Sequence, residues 1–214
     1  MAIWRDGAVA AISGTDPRSH AERLPLEAVA WLAAQQLTLR DIDTFVIVAG
    51  PGSFTGLRVG VAAVQGWAFA TGRAVAAVPT LDAVVRSAGE AAGAGEVIVP
   101  CIDGHRGEVF FGAWRNGVPE IEASVGRPED VVAAVRALAG RAPIVVSGDG
   151  AAKYADAWTA AGWRTAAPLM TLAEAAVRLA AGGGVAAGSP HAARPIYVRR
   201  PDAEIVRERA GRRS

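Results

Sequence analysis

Apolar and polar positions change their period several times along the chain. Near the start, Ile3-Trp4 and Ala8 to Ile12 flank Arg5-Asp6-Gly7, which predicts two short strands around a tight Asp-Gly turn. From about Ala21 to Gln36 the period lengthens. Leu24, Ala28, Trp31 and Leu32 fall on one helical stripe, with Ser19 as N-cap and Glu22 completing a capping box. Thr44 to Ala49 is β-branched and apolar almost throughout, as in a strand covered on both faces. Helical spacing returns over Leu57 to Ala70, where Leu57, Val61, Val64 and Ala68 form the stripe and Gly72 marks the end. Ala74 to Val78 reads as a short buried strand closed by Pro79, and Leu81 to Ala92 as a helix.

After Gly93-Ala-Gly95 the pattern starts over. Val97 to Ile102 is a strand, Glu108 to Trp114 its hairpin partner, and Asn116-Gly117 a turn. Pro128 to Leu138 reads as a helix, Ile144 to Ser147 as a buried strand ending in Gly148-Asp149-Gly150, and Lys153 to Ala161 and Met170 to Ala181 as helices. Two successive blocks of this kind predict two related α/β halves, residues 1–93 and 94–214, the second ending in an Arg-rich tail from Pro201 that reads as frayed.

Composition narrows the function classes. A chain of 214 residues, 51% hydrophobic and 20% charged, can bury a proper core. A formal net charge of +1 carries no polyelectrolyte signature of nucleic-acid binding. The single cysteine, Cys101, excludes an internal disulfide and suits a reducing compartment. The opening residues do not read as a signal peptide, and the apolar runs fall short of the ~20 residues of a membrane span, so the expected location is the cytoplasm.

Candidate chemistry centres on AGPGSFTGLRVG, Ala49 to Gly60, a glycine-rich turn between a strand and a helix. A P-loop requires a lysine and a following Ser or Thr after its last glycine, and here Leu57-Arg58 follow Gly56. The dinucleotide fingerprint has Gly50 and Gly52 in place, but Thr55 stands where its third glycine belongs, and Ala76-Ala77-Val78-Pro79 supplies no acid for a ribose. Two readings stay open on residue chemistry alone. One is an anion site at the helix N-terminus. The other is a packing turn, with Ser53 or Thr55 as cap and Gly56 and Gly60 on one helical face admitting a close neighbour.

The wording of the segment is more specific than its chemistry. GPGSFTGLRVGVAAVQGWAFA resembles the signature of the TsaB family, also called YeaZ. His20-Ala-Glu-Arg-Leu-Pro25, Ile102 to Trp114, Ser147 to Tyr154 and Arg194 to Ala203 are similar to four further family landmarks in the same order. The resemblance implies an actin/Hsp70-like (ASKHA) α/β fold of two related lobes with mixed sheets. It also implies a non-catalytic subunit for making threonylcarbamoyladenosine beside the tRNA anticodon. Its implied partners are a TsaD-type catalytic subunit and a TsaE-type ATPase, with homodimers when alone, tRNA reached through the complex, and no membrane. Helices at about His20 to Gln36 and Leu57 to Ala70 would form the partner surface. His20, Arg23, Leu24, Glu27, Trp31, Arg58, Val61 and Gln65 are its candidate contacts. Gly50, Gly52, Ser53, Thr55, Gly56 and Gly60 become a structural turn that lets a partner approach. No cofactor is expected on this chain alone, with ATP or ADP placed, if anywhere, at the partner interface.

Two departures matter. TsaD-type relatives carry a metal-binding His-x-x-x-His pair after one helix and one strand, whereas Pro79 to Val85 here has no histidine, and His20, His105 and His191 are scattered. Family members also begin with a strand of the kind Ile-Leu-Ala-Ile-Asp-Thr-Ser. The chain begins at what corresponds to their second strand, which leads to the expectation of a start upstream of Met1 and of exposed ladder groups on both neighbours. The competing class is an autonomous ATP-dependent transferase or kinase of the same fold, with Asp103, Glu108 and Asp149 as magnesium candidates. As purely structural residues these would cap a turn, edge a hairpin and sit in a loop. A third reading gives direct tRNA contact to Arg199, Arg200, Arg207, Arg209, Arg212 and Arg213.

Overall fold

The computed structural model describes residues 1–12, 20–89 and 91–199. The opening hairpin forms as expected: β1 (Ala2–Arg5) pairs antiparallel with β2 (Ala8–Ala11). Asp6 and Gly7, at φ 49° and 85°, supply the two left-handed positions that a two-residue hairpin turn requires. Helix α1 (His20–Ala34) and strand β3 (Thr44–Gly50) follow. Helix α2 (Phe54–Thr71) begins three residues before the apolar stripe predicts, because Ser53 caps it; the Ser53 side chain accepts from the Gly56 amide. Gly72, at φ 69°, ends α2 in the left-handed conformation. Strand β4 (Ala74–Pro79) and helix α3 (Thr80–Ala88) complete the first block, α3 ending four residues short of the expected Ala92.

The second block contains β5 (Val97–Asp103), β6 (Val109–Arg115), β7 (Val118–Gly126), α4 (Pro128–Ala139) and β8 (Ile144–Ser147). It continues with α5 (Asp149–Lys153), α6 (Ala155–Ala160) and β9 (Arg164–Ala166), after which α7 (Leu172–Ala181) and β10 (Ala187–Gly188) return to the first block, where Ala175 and Ala176 pack on Val78 and Ala83 and β10 pairs with β4. α6 is the helix expected over Lys153 to Ala161, and Tyr154, at φ −112°, separates it from α5, a short helix starting in Gly148-Asp149-Gly150 that the sequence reading did not include. Strands β7, β9 and β10 have no counterpart in the sequence reading. β7 is a largely exposed edge strand with Pro119 near its start, so it shows no buried face. The Ser19 cap and the tail from Pro201 lie outside the described residues.

The sheets are mixed. β10-β4-β3 has β3 parallel to β4 and β10 antiparallel to it, and β7-β6-β5-β8-β9 combines an antiparallel meander with parallel β8 and β9. Val97, Val99, Val109, Val146, Val131 and Trp158 fill the core between the larger sheet and its helices, each of the fully buried side chains contributing ~1.5–3 kcal/mol. Leu81 and Val84 of α3 pack onto Ile102, Phe110 and Trp114, joining the two blocks. The missing-strand expectation has a direct structural correlate. Among the described residues β3 pairs with β4 alone, and β1 pairs with β2 alone, so both present an open edge.

Candidate functional site

The glycine turn leaves β3 at Gly50 and enters α2 at Phe54. Its surroundings decide between the two open readings. Gly50 has φ 122°, and a Cβ there would fall on the carbonyl oxygen of Ile196 and within 3.0 Å of Leu57 Cδ1. The Ile196 amide donates to the Ala49 carbonyl at 2.7 Å, so the chain's own C-terminal segment covers the turn. Gly60 lies where a Cβ would come within 3.1 Å of Ile47 Cδ1, so it seats α2 on β3. A Cβ at Gly52 would meet nothing within 4 Å, and one at Gly56 only its own cap, Ser53; Thr55 is exposed in the first turn. Close packing within the chain accounts for Gly50 and Gly60, and Ser53 rather than Thr55 is the cap.

The covering segment is tied down along its length. Gln65 donates to the carbonyls of Pro190 and Ala193 at 2.9 and 3.0 Å. Arg58 lies 3.8 Å over the Phe54 ring and donates to the Tyr197 hydroxyl at 3.0 Å. Arg199 donates to the Gly104 carbonyl, pairs with Glu108 and sits over Phe110. Residues 190–199 therefore form a strap from α2, across the glycine turn, to the β5–β6 connection. Arg58 and Gln65, expected as partner contacts, and Arg199, considered for tRNA, are all engaged with this strap or its anchor. Sequence reasoning missed the strap because its bonds join residues separated by more than ninety positions.

The other predicted contacts divide by face. His20 opens α1. Arg23 and Glu27 pair at 2.7 Å one turn apart, with the Arg23 side chain largely buried. Leu24 and Trp31 turn inward with Ala28 and Leu32, lining a groove beside β3, and Val61 is buried in the α2 stripe. The outward face carries different residues. Leu26 is 76% exposed, Val29 51% and Phe69 51%. Around them Ala30 and Ala33 on α1, and Ala62, Gly66 and Ala70 on α2, are exposed as well. The signal was present in the sequence: with 24, 28, 31 and 32 inward, positions 26, 29, 30 and 33 must point outward.

The magnesium candidates are held by protein partners. Asp103 accepts from Lys153 Nζ at 2.7 Å and from the His105 amide at 3.0 Å, while its own amide donates to Asp149 at 2.9 Å. Burial pulls the Asp103 pKa up, but the Lys153 hydrogen bond, the His105 amide and the charges of both residues outweigh it, leaving the carboxyl below its ordinary range. Glu108 is the anchor of Arg199. The Asp103 and Glu108 geometry is that of turn and hairpin anchors. Among the described residues, no three His, Cys, Asp or Glu side chains are grouped to hold a metal ion. Cys101 is fully buried, which pushes its thiol pKa far up, followed in effect by the charges of Asp149 and Asp103.

Residues 12–205 match the family model described as TsaD: tRNA N6-adenosine threonylcarbamoyltransferase. The chain belongs to this family, in its TsaB/YeaZ branch. It is 34% identical over 146 residues to the tRNA threonylcarbamoyladenosine biosynthesis protein TsaB of Escherichia coli, covering 65% of this chain and 62% of that protein. An uncharacterized Mycobacterium tuberculosis protein is 37% identical over 116 residues, 54% of this chain and 52% of the relative. The chain thus spans about half the length of several curated relatives it matches. Among solved structures, a Pseudomonas aeruginosa protein described as similar to peptidase YEAZ superposes with a TM-score of 0.72 at 28% identity, covering 92% of this chain and 93% of that one. YeaZ from the same organism superposes with 0.66 at 25% identity, covering 91% and 93%. These likenesses agree with the actin-like mixed α/β fold. No described helix is long and apolar enough to cross a membrane.

Proposed function

We propose that the chain is a non-catalytic scaffold subunit in making threonylcarbamoyladenosine on tRNA, docking a TsaD-type catalytic subunit on the outer face of α1 and α2. One observation carries the reading: both helices turn apolar side chains to solvent, Leu26 and Val29 on one and Phe69 on the other, amid alanines and a glycine that permit close helix approach. Covering each of those three large side chains contributes on the order of 1–2 kcal/mol. The same face would pair two copies when no partner is present. A TsaE-type ATPase would join the assembly, tRNA would be met through it, and ATP or ADP would sit at the partner interface. The names of the relatives, which include tRNA threonylcarbamoyladenosine biosynthesis proteins, support the pathway. The commitment of Asp103 to Lys153 and of Glu108 to Arg199 supports placing the chemistry on the partner.

The test is gel filtration and calorimetry with the cognate TsaD-type protein, using wild type, Leu26→Glu and Phe69→Glu. A joint peak lost in both variants supports the reading. Separate peaks for wild type at high concentration, or tight ATP–magnesium binding with turnover by the isolated chain, refute it.

A further inference from the structure

The net charge of +1 hides a local asymmetry. Of the 21 Asp and Glu residues, none falls within residues 44–81 or 175–201, whereas Arg58, Arg73, Arg178, Arg194, Arg199 and Arg200 do. Those two stretches hold α2 and the strap, which Gln65 ties together. Their common surface therefore receives no carboxylate from either element. The acid that the strap meets, Glu108, is already paired with Arg199.

At the start of α2 this surface carries an exposed aromatic pair. Phe54 is 39% exposed and Tyr197 42%, with ring centroids 5.2 Å apart. Arg58 is held from two sides: its guanidinium stacks on Phe54, and its Nε donates to the Tyr197 hydroxyl. Among the described residues, its two terminal amino groups have no hydrogen-bond acceptor. Arg194 is exposed and has no ion pair among the described residues. It sits between two points where the strap is tied, the Ala193 carbonyl to Gln65 and the Ile196 amide to Ala49.

A flexible arginine loses side-chain freedom when it takes up an oxyanion. Arg58 has already lost it, so the open fork is ready for a bidentate phosphate or carboxylate. The choice between these falls to the rings. An acidic peptide would satisfy the cations but leave the flat aromatic faces uncovered, whereas a nucleotide brings a phosphate and a planar base together. The platform is also distinct from the exposed Phe69, which stands ~22 Å further along α2 at 1.5 Å per residue.

We propose that Phe54, Arg58, Arg194 and Tyr197 form a platform for single-stranded RNA, with one phosphate on Arg58, a neighbouring phosphate on Arg194 and a base against Tyr197. The choice of RNA rests on the pathway proposed above; the recognition chemistry does not. The chain then meets RNA directly and not only through the assembly.

The test is fluorescence anisotropy of the isolated full chain with a labelled oligouridylate of about ten nucleotides, titrated over salt. Wild type should bind saturably and more weakly as salt rises. Arg58→Gln and Arg194→Gln should each weaken binding at least threefold and lower the salt slope by ~0.7. Tyr197→Leu should weaken binding at least fivefold at an unchanged slope. Arg194 holds nothing else in place, so its variant keeps the test readable even where Arg58→Gln loosens the strap. Absence of saturable binding by wild type, or wild-type affinity in either Arg194→Gln or Tyr197→Leu, overturns the proposal. Equal binding of a heptaglutamate peptide, lost in the same variants, assigns the surface to a carboxylate-bearing protein and overturns it. Binding lost only when Arg207, Arg209, Arg212 and Arg213 are changed to glutamine assigns it to the tail and overturns it too. The RNA measurement uses no protein partner and the gel-filtration test uses no RNA, so either reading can fail alone.

Discussion

Replacing Gly50 by alanine tests whether the glycine turn serves internal assembly. The native φ of 122° lies where an L side chain is strained, a cost of about 1–2 kcal/mol. The new methyl would also fall on the Ile196 carbonyl, so residues 194–198 must lift. Lifting breaks the Ile196–Ala49 hydrogen bond, now 2.7 Å, for a further ~0.5–1.5 kcal/mol. The expected loss is thus about 1.5–3.5 kcal/mol, read in urea as a lower midpoint at unchanged slope. Gly52→Ala is the internal control. That position meets nothing within 4 Å and has no left-handed φ, so its change should stay within about 0.5 kcal/mol. Amide exchange at Ile196 should accelerate in the Gly50 variant alone. Were both variants equally mild, or the Ile196 amide unaffected, the strap could not be what the glycine accommodates.

Gly148→Ala should be at least as damaging as Gly50→Ala, about 2–4 kcal/mol in chemical denaturation, because φ is 114° and the Cβ would strike the Cys101 carbonyl. Ser147→Ala should be neutral or stabilising by up to ~1 kcal/mol, since the Ser147 hydroxyl is fully buried without a hydrogen-bond partner among the described residues. The Asp103 pKa is depressed in the folded chain, so its stabilisation is present above the ordinary value of 3.8 and is lost as pH falls through the folded value. Asp103→Asn should therefore flatten the acid limb of a stability-versus-pH curve below about pH 4. Leu26→Glu should leave the unfolding free energy in urea within about 0.5 kcal/mol of wild type while removing partner binding in gel filtration.

The periodic elements were legible because burial follows period. Residues 24, 28, 31 and 32, and 61, 64 and 68, fall inward as their spacing requires. Strand β7 was hidden because its side chains face water and its pairing, not its composition, makes it a strand. The strap was hidden for a different reason: Gln65, Arg58 and Arg199 are polar residues whose partners lie far away in sequence, and the chain order does not reveal such bonds. The candidate contacts include Trp31, which lines the groove, and leave out Leu26 and Val29, whose angular offset from the inward stripe marks them as the outer face.

These positions give the glycine turn a role that links the surfaces. Gly60 seats α2 against Ile47, and Gly50 lets the strap cross above the turn to anchor at Glu108. Gln65 and Arg58 hold that strap along the flank of α2. The helix is therefore fixed to β3 on one side and, through residues 190–199, to the second sheet. Its exposed stripe of Ala62, Gly66 and Phe69 is consequently presented on a held frame, which lowers the ordering cost of docking. In the proposed association the glycines would act on the partner only indirectly, by fixing the helix it meets, and loosening the strap should weaken that association without altering any residue on the contact face.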